Sequence, residues 1–88
     1  MGLDTVEFVI WTELEFEIQI PDDDAESVRT VGEFVTLIQR LLIGKGGIDL
    51  VSKEFVFCKI RDRLVSEYGV TENLITDHAE FVRDLGLD

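Results

Sequence analysis

The sequence has little of what most catalytic or secreted domains depend on. Its 88 residues include one cysteine, one proline, one histidine and one tryptophan, and 8 basic side chains stand against 19 acidic ones. A single cysteine, Cys58, forms no internal disulfide, which makes a reducing compartment the natural setting. Placed between Phe57 and Lys59 in a helix-like stretch, it reads as a half-buried small hydrophobe. The lone His78 has no cysteine or second histidine with which to hold a metal, and no nucleophile close by. No apolar run approaches the roughly 18 residues that a membrane span requires. The segment Met1-Gly2-Leu3-Asp4 has neither the basic start nor the apolar core of a signal peptide, so the expected location is the cytoplasm.

What is present specifies one folded domain. The chain is 45% hydrophobic with six phenylalanines, which excludes the weakly apolar composition of a disordered segment. Its length suits a single core with a thin stability margin and leaves little room for a deep catalytic cleft. The formal net charge of −11 repels nucleic acid and anionic lipid and draws cationic patches of other proteins. With no catalytic constellation and no metal ligand set, the expectation is a non-enzyme that partner proteins handle.

Periodicity predicts an all-α architecture of three long helices and one or two short ones. Leu3, Val6, Val9, Ile10 and Leu14 fall at helical spacing between 3 and 16, and the spacing assigns them to the core, with Asp4, Glu7, Glu13 and Glu15 outside. Phe16 to Ile20 alternates like a strand but meets Pro21 and finds no partner, so it reads as an extended loop plugging the core. Asp22-Asp23-Asp24 marks a helix start where carboxylates cap free N–H groups; the calcium-loop alternative lacks the alternating ligands, central glycine and distal Glu. Thr30 with Glu33 forms a capping box ahead of the stripe Val31, Phe34, Leu37, Ile38, Leu41 and Leu42. Residues 44–47 form a glycine-rich linker without the features of a phosphate-binding loop. Asp49 or Ser52 opens a helix to Tyr68, with Phe57, Ile60, Leu64 and Tyr68 on one face and Gly69 as the stop. Val70, Leu74 and Ile75 anchor the following loop, and Asp77 caps a short turn through Phe81 and Val82.

Two segments carry a signature. Leu3-Asp4-Thr5-Val6-Glu7-Phe8-Val9, then Phe16 to Glu26, then Thr30-Val31-Gly32, resembles the second half of an acyl carrier protein, which reads roughly LDTVELV, FxxEIPDxxAE, TVGD. Gly69-Val70, Ile75-Thr76 and the run from Ala79 to Asp88 resemble its first half, a helix ending in GV followed by IT and FxxDLGxDS. Residues 1–88 thus resemble one acyl-carrier-like four-helix bundle in circularly permuted order, with 44–47 joining the family's last helix to its first.

The resemblance implies 4′-phosphopantetheine as the family's cofactor, on a serine between the Asp84-Leu85-Gly86-Leu87-Asp88 element and Leu3-Asp4. That position falls on Gly2, which has no hydroxyl to accept the phosphoryl group. A carrier opened at its modification site, a degenerate carrier without its arm, and assembly between chains through exchange at the termini all account for this. The resemblance also implies docking of Asp4, Glu7, Glu13 and Glu15 on basic patches of acyl-metabolism enzymes. It implies an acyl pocket among Val6, Phe34, Ile38, Phe57 and Phe81. A regulatory interaction domain without acyl chemistry is the rival class.

Overall fold

The computed structural model describes residues 3–44 and 52–87. Four α-helices follow in order: α1 Leu3–Phe16, α2 Asp22–Ser27, α3 Val31–Gly44 and α4 Lys53–Tyr68, with a 3₁₀ turn at Glu72–Leu74. Among the described residues there is no strand, and the one bridge, antiparallel, joins Thr30 to Glu80. The architecture is all-α, a small helical bundle. Of the expected linker, Gly44 is the last residue of α3, and the rest lies outside the described residues.

α3 and α4 form the centre. Val31, Ile38, Val56, Ile60 and Leu64 are completely excluded from solvent, each burial contributing about 1.5–3 kcal/mol before entropy is charged. The start of α3 is held from two directions. Thr30 Oγ1 accepts the Glu33 N–H at 3.1 Å while the Glu33 carboxylate accepts the N–H groups of Thr30 at 3.0 Å and Arg29 at 2.9 Å, the capping box expected from Thr30-x-x-Glu33. The next two amides, Val31 and Gly32, donate to the carbonyls of Ala79 and Asp77, both at 2.9 Å. A Cβ on Gly32 would stand 2.9 Å from that Asp77 oxygen, so this approach needs glycine.

α4 begins at Ser52, whose hydroxyl accepts the Phe55 N–H at 3.1 Å, and ends at Gly69 with φ 66. α1 ends by the same left-handed turn, but on Glu17, with φ 53. The Ile18 N–H then closes on the Glu13 carbonyl at 3.1 Å, the pattern of a Schellman ending. Phe16, Ile18 and Ile20 are buried, as expected of a loop that plugs the core, and the Ile20 N–H is satisfied by the Glu13 carboxylate at 2.8 Å.

Three local expectations are corrected. The α2 carboxylates make no cap hydrogen bond: Pro21 is the N-cap, and its carbonyl accepts the Ala25 N–H at 3.0 Å, leaving Asp22–Asp24 to act through charge at the helix start. Leu74 is 52% exposed, because the 3₁₀ turn that carries it turns it outward while Val70 and Ile75 are buried on either side. Asp77 caps no helix. Its carbonyl serves Gly32 instead, and residues 81–85 form turns.

Candidate functional site

α1 presents two faces, and the spacing of its apolar residues misassigns them. Its buried side chains are Phe8, Thr12 and Phe16, with Val9 and Trp11 packed at the margin of the core. Leu3 is 80% exposed, Leu14 76%, Ile10 51% and Val6 38%, so of the stripe assigned to the core only Val9 is even half-buried. Periodicity fixes which residues share a face but not which way the face points. The aromatic residues take the inside because their area is larger. Phe8 has ring contacts with Trp11, Phe34, Tyr68 and Phe81 at centroid distances of 5.5–5.9 Å. Thr12 fits among them because its hydroxyl donates to the Phe8 carbonyl at 2.7 Å.

The four acids expected to dock partners occupy different situations. Glu7 is exposed beside the outward apolar stripe. Glu13 is bound to the Ile20 amide, and Glu15 pairs with Lys59 at 3.3 Å. Asp4 is half-buried, and its carbonyl accepts the Tyr68 hydroxyl at 3.4 Å. Burial pushes that Tyr68 hydroxyl up from its usual pKa, and the Glu7 charge adds to the shift.

Behind α1 lies a cavity of about 290 Å³, lined by Thr5, Phe8 and Val9 of α1, Ala25 and Glu26 of α2, Val28 and Arg29, Phe34, and Glu80 to Val82. Phe8, Phe34 and Phe81 converge on it from three parts of the chain, each pair of rings 5.7 Å apart. Of the pocket residues expected from the sequence, Phe34 and Phe81 line it. Val6 points to solvent, Ile38 is sealed in the α3–α4 centre, and Phe57 is half-buried against the core away from the cavity. Phe8, Val9, Ala25 and Val28 were missed. The Phe8–Thr12–Phe16 spacing of four was the available signal, masked by the more numerous aliphatic residues on the other face.

The Asp84–Leu87 element is a turn closed on itself. Asp84 Oδ2 accepts the Glu80 N–H at 2.8 Å, and the Asp84 and Leu85 amides both donate back to the Glu80 carbonyl. Gly86 takes φ 75, and Leu85 and Leu87 are buried. Gly2 and Asp88 lie outside the described residues. Each serine hydroxyl is engaged at a helix terminus or on its own helix: Ser27 donates to Asp24, Ser52 caps α4 and Ser66 donates to Arg63. Cys58 is half-buried and His78 exposed. Among the described residues no group of three His, Cys, Asp or Glu could hold a metal ion, and no helix is long and apolar enough to cross a membrane.

Comparison with known proteins then gives a partial match. A protein of Phenylobacterium zucineum (strain HLK1) is 55% identical over 41 residues, which are 47% of this chain and 52% of that protein. One of Picosynechococcus sp. (strain ATCC 27264 / PCC 7002 / PR-6) is 61% identical over 37 residues, 42% of this chain and 46% of that protein. Both are acyl carrier proteins. The chain spans about half the length of the curated relatives it matches. No family model matches it, and no solved structure does.

Proposed function

We propose that this domain is an acyl-carrier-like protein of fatty acid, polyketide or related acyl metabolism, non-catalytic itself and docked by partner enzymes through α1. The observation that carries the reading is the 55–61% identity to acyl carrier proteins. The outer face of α1 supports the docking half: an apolar stripe of Leu3, Val6, Ile10 and Leu14 with Glu7 beside it, on a chain of net charge −11. Apolar contact supplies residence, and the acidic field supplies a fast, salt-sensitive approach to basic patches.

The elements stand in permuted order in this reading. The DLGLD element follows the other helices in sequence, yet Phe81, three residues before it, packs on Phe8, and Val82 shares a cavity with Thr5. These contacts support a common neighbourhood for the 80–87 segment and the start of α1.

The family's arm, 4′-phosphopantetheine, supplies a thiol that carries acyl groups as thioesters. The residues present do not fit its attachment. Gly2 holds the serine position and has no hydroxyl, and the engaged hydroxyls of Ser27, Ser52 and Ser66 are no substitute. That mismatch favours a second reading, an interaction or regulatory domain built on the carrier fold.

Intact-mass measurement after incubation with coenzyme A and a broad-specificity phosphopantetheinyl transferase tests both. The chain should keep its mass, and a Gly2→Ser variant should gain the arm. Modification of the unaltered chain would overturn the assignment of Gly2. A folded Gly2→Ser variant that stays unmodified would favour the second reading. Glu7→Lys and Ile10→Ser should each weaken binding to the transferase several-fold, and unchanged binding would remove α1 as the docking face.

A further inference from the structure

We infer that the layer formed by α1 and α4 pairs with a second copy of this chain about a two-fold axis, α1 of each copy lying across α4 of the other. Within one chain the two helices run antiparallel, side by side. Going along α1, Asp4, Trp11 and Glu15 meet Tyr68, Arg63 and Lys59 in turn. The Tyr68 hydroxyl donates to the Asp4 carbonyl at 3.4 Å, the Arg63 guanidinium stands 5.1 Å from the Trp11 ring centre, and Lys59 pairs with Glu15 at 3.3 Å. Phe8, Thr12 and Phe16 of α1 and Val56, Ile60 and Leu64 of α4 all turn to one core. The opposite faces of the two helices therefore lie next to each other on the outside. That outer layer carries Leu3, Ile10 and Leu14 on α1, and Phe55 and Val65, 50% and 38% exposed, on α4.

Charge identifies the occupant. α1 holds four acids and no base, whereas α4 holds Lys53, Lys59, Arg61 and Arg63, half of the eight basic residues in the chain, against three acids. No other described helix has more bases than acids. Antiparallel neighbours of opposite charge are self-complementary. A two-fold axis along their seam sets each α1 on the α4 of the other copy and closes the assembly at two. In the register of the seam, Ile10 comes opposite the partner's Val65 and Glu13 opposite the partner's Arg61. Arg61 is short of acceptors within its own chain. Its Nε has none among the described residues, and its one ion pair there is with the neighbouring Asp62 at 3.7 Å. Glu13 gives one carboxylate oxygen to the Ile20 amide and has a second with which to accept. The acids of α2, α3 and the segment 72–84 belong to other elements, and salt screens their mutual repulsion beyond about 8 Å.

Sedimentation equilibrium of the whole chain over a concentration series should show monomer and dimer in exchange. Ile10→Lys and Val65→Glu alter exposed positions and leave the core untouched. Each should weaken self-association at least about tenfold, since it sets a charge against an apolar side chain in both halves of the contact. Mixed in equal amounts, the two variants should pair with each other to within about threefold of the parent. One half of the contact then joins the new lysine to the new glutamate, and the other half is unaltered. A parent that stays monomeric up to millimolar concentration overturns the inference, as does a Val65→Glu variant that associates like the parent. A mixture no tighter than either variant alone would mean that like helices face each other, and overturns the arrangement. The same contact covers the outer stripe of α1, so a partner enzyme and a second copy compete for it. None of these readouts uses the transferase or coenzyme A, so the dimer and the carrier reading fail independently.

Discussion

α1 and α3 are both fourteen residues long and both rich in aliphatic side chains, yet they turn those side chains in opposite directions. α3 buries Val31, Phe34, Val35, Leu37 and Ile38, while α1 shows Leu3, Ile10 and Leu14 to solvent and buries two phenylalanines and a threonine. In α3 the aromatic and aliphatic residues share one face, so composition and spacing agree. In α1 they lie on opposite faces, and the one that fits the aromatic cluster is the one that folds inward. An outward aliphatic stripe is then left exposed among the described residues, as the core-facing stripe of α3 is not.

The comparison is broken most directly by truncation. Ile38→Ala should cost about 2–5 kcal/mol in urea unfolding and Phe8→Ala about 3–5, while Leu14→Ala should stay within about 0.5 kcal/mol. A large loss at Leu14 would mean that the outer face of α1 is covered. The anchoring of α3 comes next. Gly32→Ala gains helix propensity of about 1 kcal/mol but sets a methyl 2.9 Å from the Asp77 carbonyl, so a net loss of stability of roughly 1–2 kcal/mol is expected.

Smaller is the capping box, where Thr30→Ala should cost about 1 kcal/mol. Hydrogen bonds from the Arg29 and Thr30 amides hold the Glu33 carboxyl below its ordinary 4.5. A depressed acid contributes stability that is complete above its unfolded value and lost as pH falls through its folded one. Stability should therefore drop from about pH 4.5 downward, by less in Glu33→Gln, as read by thermal unfolding across pH 2–6. Smallest is the exit of α1: Glu17→Gly removes a side chain from a left-handed conformation and should stabilise by up to about 1 kcal/mol, the relief of strain being offset by unfolded-chain entropy.

Much of the fold was legible where one local device has one outcome. Thr30 with Glu33 set the start of α3, Gly69 set the end of α4 and Ser52 was one of two starts offered for it, and Pro21 turned the alternating Phe16–Ile20 segment into a plug. The direction of α1 was not legible, because it is decided by Phe34, Tyr68 and Phe81, residues far away in sequence. The same long-range dependence hid the cavity: Phe34 and Phe81 were anticipated, but Phe8 and Val9 join them only once the inner face of α1 is known. Asp77 was misread for a related reason, since its carbonyl is claimed by an amide of α3 rather than by its own turn.

The partners that seat α1 also set a timetable. The Tyr68 hydroxyl that meets the Asp4 carbonyl lies 64 residues downstream, and Phe81 lies further still. At the usual pace of synthesis those 64 residues take about 3–13 s, during which Phe8 lacks its Tyr68 and Phe81 neighbours. A released chain truncated before Phe81 should therefore show α3 and α4 paired while α1 remains sensitive to protease.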